Sequence, residues 1–356
     1  MISTTLYFIL VLTIVVFIHE LGHYLVAKLC GVKIEEFSIG FGLKLFGFKR
    51  KNGELWKVSL LPFGGYVKMY GDDNASGTFG YKEKPTDDEL KYCLAYKHPF
   101  KKILVASAGP LMNLFLAFVL FSAVFATKGV SRILPIITSV EKNSIAEKIG
   151  LKTNDKILSI NGYKIEIFKD VGKALNAIIG NDIEVKIARI VKDSNNKDVE
   201  KKFSFKGKYS SGSILGVMGD KIEYNKISLG GAIMASFNEI YDISSSTCRA
   251  FGNIFLKHKT NSIGGPITIA KQSAKAGKKG AVQLLYFIAL ISMSLGIINI
   301  MPIPLLDGGH VLFSFIELIS KKRIPNKVYK IAMYVGIAIV GFLMVLGFFN
   351  DIFIHR

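Results

Sequence analysis

The chain has 356 residues, 50% of them hydrophobic, and a mean hydropathy of +0.37. This composition is too apolar for an ordinary soluble enzyme and predicts a polytopic membrane protein that carries a soluble part. The formal net charge of +19 comes without a nucleic-acid-binding motif, so we expect no nucleic-acid partner and assign the excess to cytoplasmic loops.

Four segments are long and apolar enough to cross about 30 Å of hydrocarbon as helices. They cover roughly residues 6–29, 103–127, 282–301 and 328–349. The start of the chain has neither a basic region nor a small-residue cleavage site, and its apolar run continues without a break. We therefore expect a retained transmembrane helix there and not a cleaved signal peptide.

These spans divide the chain into consecutive parts, each with its own composition. The predicted parts are a first transmembrane helix (1–33), a membrane-associated β-hairpin region (34–72), a cytoplasmic loop (73–101), a second transmembrane helix (102–128), a soluble α/β domain (129–210), an extracytoplasmic amphipathic or linker region (211–281), a third transmembrane helix with the cytoplasmic loop after it (282–327) and a fourth transmembrane helix (328–350).

The stretch 34–69 predicts a glycine-punctuated β-sheet. Short runs such as "LWKVSLL" alternate apolar and polar residues, and Asn52-Gly53 is a strong signal for a two-residue hairpin turn. This sheet is apolar enough to lie against the membrane or to dip into it. The polar residues that follow, 70–99, indicate a surface loop.

Residues 129–210 predict a small α/β domain of ordinary size. "ILPIITSV" (133–140) predicts a strand, and "NSIAEKIG" predicts a short helix that is capped by Ser144 and ended by Gly150. Strands are expected on both sides of Asn161-Gly162, followed by a helix in "FKDVGKALNAI" and strands in "DIEVKIARIVKD" and "KKFSFKG".

The region 211–281 has a loosely amphipathic pattern. Its longest such run, "GGAIMASFNEIYDISSSTCRAFGNIFLKH", indicates a segment on the membrane surface. The sequence "NSIGGPITIAK" then interrupts the pattern with two glycines and a proline.

The distribution of basic residues predicts the orientation. No Lys or Arg precedes the first span, whereas the loop between the third and fourth spans is basic, with Lys321, Lys322, Arg323, Lys327 and Lys330. Short basic loops stay in the cytoplasm. We therefore expect the N-terminus, the α/β domain and the C-terminus to lie outside the cytoplasm.

Three polar side chains interrupt the first span in "IVVFIHELGHYLVA". "HELGH" fits H-E-x-x-H, and because helix positions i and i+4 share a face, His19 and His23 can bind one metal ion. Glu20 lies beside that face and can take a proton from an attacking water. The alternative is a pair of hydrogen-bonded histidines within a helix bundle, although unpaired polar groups are expensive at this depth.

A third ligand is needed, because catalytic zinc sites usually have three from the protein. "NIMPIPLLDGGH" follows the third span and places Asp307 in an otherwise apolar stretch whose prolines and glycines break the helix. A helix cap at a membrane boundary is the alternative role for Asp307. Together with HELGH, the sequence favours Asp307 over the neighbouring His310 as the third ligand.

These motifs and their order resemble those of the site-2 protease family of intramembrane zinc metalloproteases. N-x-x-P-x-P-x-L-D-G begins at Asn299, and "SAGPLMN" contains the family's G-P-x-x-N pattern at Gly109, Pro110 and Asn113. "IGLKTNDKILSING" resembles a PDZ domain, and one such insert is typical of the bacterial branch. The resemblance covers nearly the whole chain.

The resemblance implies a Zn²⁺ ion bound by His19, His23 and Asp307, with Glu20 as the general base. It also implies that Asn299 helps to bind the substrate or an oxyanion.

The sheet at 34–69 would, by the same resemblance, contact an extended substrate strand. A second contact would come from the "GGPI" segment, which consists of Gly264, Gly265, Pro266 and Ile267. One departure concerns the third span, where many relatives have a further Asn and this chain offers only Ser292 or Ser294.

The implied function is regulated intramembrane proteolysis in a bacterial inner membrane. The substrates would be single-span membrane proteins of the anti-sigma-factor or remnant signal-peptide type. The active site would lie towards the cytoplasmic side and the PDZ-like domain outside. That domain can capture a peptide in a groove between "LPIIT" and the helix at 170–178, filter substrates by size, or be purely structural.

Two other functions remain as alternatives. A non-catalytic membrane scaffold would use the PDZ-like domain alone, but it has no need for a complete metal-binding set. A metal transporter would need polar residues along several spans, and the second and fourth spans are nearly free of them, apart from Asn113.

Overall fold

The computed structural model describes residues 2–71, 86–178, 182–192, 197–209, 215–257 and 265–353. The chain divides into a membrane unit, Met1–Val124 with Leu229–Arg356, and an α/β unit, Phe125–Ser228. The helices of the described residues are α1 (Ile2–Leu29), α2 (Asp87–Leu90), α3 (Pro99–Lys128), α4 (Ile145–Ile149), α5 (Lys169–Asn176), α6 (Leu229–Lys257), α7 (Pro266–Lys279), α8 (Ala281–Ile300), α9 (Asp307–Ser320) and α10 (Asn326–Phe353).

The strands of the described residues belong to both units. They are β1 (Ile34–Lys49), β2 (Leu55–Met69), β3 (Val130–Ile133), β4 (Ser139–Val140), β5 (Lys156–Ile160), β6 (Tyr163–Lys164), β7 (Asp182–Lys192), β8 (Asp198–Lys208), β9 (Val217–Met218) and β10 (Ile222–Asn225).

Four helices of the membrane unit, α1, α3, α8 and α10, are long and apolar enough to cross a membrane. They coincide with the four predicted spans and differ from them by a few residues at the ends. The starts of α1 and α3 each lie four residues before the predicted ones, and α3 begins at Pro99. Proline suits the first helical position because its missing N–H would be unpaired there anyway, and the His98 carbonyl accepts the N–H of Lys102.

Two regions that were predicted as loop or linker are helical. The predicted loop after the third span contains the 14-residue α9, and the predicted linker contains α7 and the 29-residue α6. Polar residues of α6 bond neighbouring helices: the Ser122 hydroxyl donates to Ser236 at 3.1 Å, and the Tyr286 hydroxyl donates to Glu239 at 2.7 Å. The amphipathic pattern of α6 therefore includes helix–helix contacts, which sequence periodicity cannot distinguish from contact with a membrane surface.

The predicted loop at 73–101 also contains local helical structure. Residues 72–85 lie outside the described part of the chain, but α2 and a 3-10 turn at Leu94–Tyr96 follow them. Cys93, Leu94 and Ala95 are buried. This segment therefore packs against the membrane unit and is not wholly a surface loop.

β1 and β2 form one bent sheet, joined at the predicted Asn52-Gly53 turn. Residues 34–39 pair with 65–69, and residues 44–49 pair with 55–59. Residues 36–39 are also in register with 55–58, so they lie between two segments of β2. Among the described residues, 65–69 has no second strand partner, which makes it an outer strand of this sheet.

The sheet is fixed to α1 at the base of its turn. Glu54 is buried. Its carboxylate accepts a hydrogen bond from the Tyr24 hydroxyl at 2.8 Å and forms an ion pair with Lys28 at 2.9 Å. Phe37 stacks on Trp56 with ring centroids 4.4 Å apart, and Tyr24 meets the Trp56 ring edge-on. These contacts hold β2 against the helix that carries HELGH.

The α/β unit has a four-stranded antiparallel sheet in the order β6-β5-β7-β8. The predicted helix α4 is capped at its start by Ser144, whose hydroxyl accepts the N–H of Glu147, and at its end by Gly150, which has a φ of 90°. The predicted turn at Asn161-Gly162 joins β5 and β6. Local sequence signals therefore located these elements correctly.

Two predictions about this unit are wrong. Residues 133–140 do not form one strand, because Pro135 lacks an N–H and separates β3 from β4, which pair with β10 and β9. The unit also continues past residue 210 to Ser228. The return of β9 and β10 to its first strands is a long-range pairing that local patterns do not reveal.

Candidate metal centre and substrate cavity

His19 and His23 lie one turn apart on the same face of α1. Both side chains are buried, and their Nε2 atoms are 3.3 Å apart. The Nδ1 of His23 lies 2.8 Å from the Val105 carbonyl oxygen of α3. A backbone carbonyl only accepts, so Nδ1 carries the proton and Nε2 keeps a lone pair that can bind a metal.

Asp307 is the first residue of α9 and follows a tight, helix-breaking turn. In that turn the N–H of Ile303 donates to the Met301 carbonyl at 2.7 Å, and the N–H of Leu306 donates to the Ile303 carbonyl at 3.1 Å. A Cβ at Gly308 would lie 2.2 Å from the Met301 carbonyl oxygen. Only glycine fits so close to the backbone, and this turn directs Asp307 towards α1.

The three predicted ligands meet in the membrane unit. Asp307 lies 3.1 Å from His19 Nε2 through one carboxylate oxygen and 3.4 Å from His23 Nε2 through the other. Donor atoms about 2 Å from a tetrahedral zinc ion lie about 3.3 Å from one another. Two imidazoles and a carboxylate at these spacings therefore fit a zinc ion.

Gly109 allows α3 to approach the two histidines. A Cβ at this position would lie 2.2 Å from His23 Nε2 and 2.8 Å from His19 Cε1. In the opposite direction, a Cβ at Gly22 of α1 would lie 2.5 Å from the Ala108 carbonyl oxygen. The two helices thus meet through glycines, and Gly109 leaves the space that a bound ion and its ligands need.

Asn113 lies beside the other nitrogen of His19. The Asn113 side chain is fully buried, its Nδ2 is 3.2 Å from His19 Nδ1, and its Oδ1 has no hydrogen-bond partner among the described residues. Turning the amide over brings Oδ1 to the Nδ1–H of His19, which leaves Nε2 with its lone pair. Asn113 can therefore set the tautomer of His19, as Val105 does for His23.

A cavity of about 270 Å³ opens beside this centre. Glu20 lines it next to both histidines, and the outer strand segment of β2 forms part of its wall. A Cβ at Gly65 would lie 2.9 Å from Glu20 Cγ, so the sheet packs directly on the predicted general base. The remaining lining residues include Phe41, Tyr66, Val67, Met69, Leu94, Val105, Ala106, Leu305, Asp307 and His310.

Tyr66 and His310 also line this cavity, although the sequence motifs did not assign them to the site. Tyr66 stacks on Phe41 and donates its hydroxyl hydrogen bond to Glu36. The Nδ1 of His310 lies 2.9 Å from the Tyr329 hydroxyl. His310 was considered only as a rival to Asp307, yet both line the cavity. Strand alternation alone gave no signal for Tyr66, because its role depends on which edge of the sheet meets α1.

The other predicted substrate-binding residues are not among those that line this cavity. Asn299 is half-buried in the last turn of α8. Pro266 and Ile267 begin α7, Gly265 directly precedes it, and Gly264 lies outside the described residues. The N–H groups of Gly265 and Ile267 each donate to Asp351 at 2.8 Å. The Asp351 carboxylate of α10 therefore caps the start of α7 and occupies these two N–H groups.

Similar known sequences support the assignment of a metal centre. Residues 7–343 match the sequence profile of peptidase family M50. A candidate zinc metalloprotease of Clostridium perfringens is 36% identical, with 97% of each chain covered. Similar candidates from Rickettsia conorii and Campylobacter jejuni are 34% and 33% identical, over 97% of this chain and 97% and 92% of theirs.

The match extends over nearly the whole chain and includes both sequence segments that form the metal centre. The apolar helices α1, α3, α8 and α10 are long enough to cross a membrane, as expected of a membrane protein. The chain belongs to peptidase family M50, the site-2 proteases, and is a zinc metalloprotease of the membrane.

Proposed function

We propose that this protein is an intramembrane endopeptidase that cuts single-span membrane proteins within or near their transmembrane segment. The observation that carries the proposal is the meeting of His19, His23 and Asp307 in the helical unit, with Glu20 in the adjoining cavity. A site built among membrane-spanning helices acts on bonds that ordinary soluble proteases cannot reach.

Each polar group of the centre has a distinct role in this proposal. His19, His23 and Asp307 would hold zinc, which when bound supplies a Lewis acid that polarises the scissile carbonyl and makes water more acidic. Glu20 takes a proton from the attacking water and passes it to the leaving amine. Val105 and Asn113 orient the two imidazole rings.

The outer strand of β2 offers a means of holding the substrate. A transmembrane helix hides its peptide bonds in its own hydrogen bonds, so it must unwind before it is cut. The segment 65–69 is an outer strand, and four of its residues line the cavity: Gly65, Tyr66, Val67 and Met69. An unwound substrate can pair with this edge by strand addition and present its backbone to Glu20.

The exposed surface of the same sheet supports a location within or against lipid. Leu43, Leu45, Phe46 and Phe48 of β1 are between 59% and 76% exposed. A patch of this kind is costly in water but is compatible with acyl chains. We propose that residues 43–48, on the opposite edge of the sheet from 65–69, enter the bilayer.

Asn299 and the "GGPI" segment are still proposed to contact the substrate, but not through the N–H groups of Gly265 and Ile267. Because the N–H groups of Gly265 and Ile267 are used by Asp351, the exposed part of the Ile267 side chain is the better candidate for contact. Asn299 would act from the end of α8, beside the turn that leads to Asp307.

We further propose a bacterial inner-membrane location, with the active site towards the cytoplasm and the α/β unit outside. The support is the basic loop between α9 and α10, because short basic loops stay in the cytoplasm. The α/β unit is proposed to be PDZ-like, and it would bind peptides or exclude bulky substrates. The proposed substrates are anti-sigma factors already trimmed outside the membrane, or remnant signal peptides.

The test compares the wild type with Glu20→Gln in vesicles that contain a single-span model substrate. We expect cleavage to fall by about 10² to 10⁴-fold, because a general base contributes that much, while zinc content stays the same. Glu141→Gln, at an exposed position of the α/β unit, is the control and should retain full activity. Full activity of Glu20→Gln would disprove the mechanism, and a wild type without zinc would favour a scaffold.

A further inference from the structure

A second cavity, of about 360 Å³, lies where α3 begins and α9 ends. We call it the basic cavity, and its lining residues are Tyr96, Lys97, His98, Pro99, Lys102, Glu317, Leu318, Lys321, Lys322 and Arg323. Its volume falls in the range of ligand sites in proteins, about 300–1,000 Å³. It shares no lining residue with the cavity of the metal centre.

The lining is strongly cationic. Five lysine and arginine side chains face a single carboxylate, that of Glu317. That carboxylate is already engaged, because Oε2 accepts from Lys102 Nζ at 2.8 Å and Oε1 accepts from the Ile324 N–H at 3.1 Å. Glu317 therefore balances Lys102 and leaves the other four cations uncompensated within the lining.

Two of these cations show the effect of their surroundings. Partial burial, together with the charge of Lys101, lowers the pKa of Lys97. The Arg323 guanidinium lies over the Tyr96 ring at 4.4 Å, which holds it at the edge of the cavity. The start of the 30-residue α3 adds the positive end of a helix dipole. An anion would therefore be attracted by both the side chains and the helix.

Lys321 occupies a position that suits glycine better. It ends α9 with a φ of 55°, the left-handed conformation in which glycine is usual at helix ends. The position therefore carries a positive charge at some conformational cost.

The cavity also lies at a membrane boundary, since α3 and α10 are spans that begin near it. Exposed apolar side chains flank it on the same helices: Phe100 next to Pro99 is 54% exposed and Ile319 next to Leu318 is 68% exposed. Acyl chains can cover these groups while a headgroup occupies the cavity. Basic pockets beside membrane helices suit lipid headgroups in this way.

We propose that the basic cavity binds the phosphate of an anionic glycerophospholipid headgroup. The phosphate oxygens accept from Lys97, Lys322 and Arg323, and the acyl chains lie along Phe100 and Ile319. A free phosphate would satisfy the cations but would leave these apolar groups uncovered.

The test measures lipid retention by native mass spectrometry of the full-length protein in detergent, with phosphatidylglycerol or phosphatidylcholine added. We expect the wild type to retain one phosphatidylglycerol in preference to phosphatidylcholine. Lys97→Gln with Lys322→Gln should weaken retention about 30-fold, because each lysine near an anionic headgroup contributes about fivefold. Lys321→Gly should also weaken it without lowering thermal stability, because glycine suits that backbone.

The control is Lys327→Gln with Lys330→Gln, which removes the same charge from exposed residues at the start of α10, outside the lining. It should retain phosphatidylglycerol like the wild type. Equal losses in the two double variants, or no preference between the two lipids, would overturn the proposal. Inorganic phosphate that binds and displaces the lipid at equal concentration would overturn the lipid as the ligand.

Discussion

The membrane unit and the α/β unit bury polar groups in different ways. Around the metal centre, His19, His23 and Asn113 are buried among apolar helices, and the Oδ1 atom of Asn113 has no partner among the described residues. In the described part of the α/β unit, Asp155 is the one buried carboxylate, and it is fully engaged with Arg189 and the Lys152 N–H.

This difference assigns the two groups of buried polar residues to different roles, stability in the α/β unit and chemistry at the metal centre. The core of the α/β unit is mainly aliphatic, with Ile157, Ile183 and Ile187 almost fully buried around Val185. Apolar burial supplies its stability, and the Asp155–Arg189 pair is satisfied in place. The polar groups of the metal centre, by contrast, are arranged around a place for a further partner, which is the arrangement expected of a site that binds a metal.

The largest expected effect is that of Gly109→Ala, which should destroy the metal centre alone. The added Cβ would lie 2.2 Å from His23 Nε2, so α3 and the histidines must separate. We expect loss of zinc and of activity, measured by elemental analysis and substrate cleavage. Gly341→Ala in α10 is the matched control, because nothing lies within 4 Å of its Cβ. Zinc retained by Gly109→Ala would contradict this account.

Arg189→Ala should have the converse effect: it should destabilise the α/β unit and leave the metal centre intact. Arg189 donates to the two Asp155 carboxylate oxygens at 2.6 and 2.7 Å, and this hydrogen bonding raises the pKa of its guanidinium. Its removal leaves a buried, unpaired carboxylate, which costs about 3–5 kcal/mol. Hydrogen exchange should accelerate in β5, β7 and β8 while zinc content stays unchanged. Lys202→Ala, at an exposed position of β8, is the control, and zinc loss in Arg189→Ala would break the separation of the units.

Asn113→Leu should have a smaller effect, confined to the metal centre. Loss of the group that orients His19 is expected to weaken zinc binding about 10- to 100-fold, measured by competition with a chelator. Ser292→Ala is the control, because Ser292 donates to the backbone carbonyl of Asn113 at 2.9 Å and leaves its side chain in place. Equal zinc affinity in the wild type and Asn113→Leu would show that Asn113 serves packing only.

The smallest effect is expected for Ser144→Ala at the start of α4. The lost hydrogen bond to the Glu147 N–H should cost about 1 kcal/mol of stability in the α/β unit. Ser144→Asp should restore it, since aspartate caps helices equally well. The measurement is the unfolding of the α/β unit within the full-length protein, and equal losses in both variants would contradict a capping role.

Local sequence patterns were sufficient for the elements that depend on neighbours in the chain. Hydropathy located the four spans, the i and i+4 spacing placed His19 and His23 on one face, and Asn52-Gly53 marked the turn of the sheet. Each of these features depends on helix period, turn conformation or transfer free energy, which are properties of short segments.

Long-range packing decided the rest. The approach of Asp307 to α1, the fit of Gly109 against the histidines and the position of Tyr66 in the cavity join segments far apart in sequence. The same is true of the return of β9 and β10, which extends the α/β unit to Ser228. No periodicity encodes which faces meet. Thus the sequence by itself determined the spans and the HELGH face, whereas only the tertiary structure decided how they form a site.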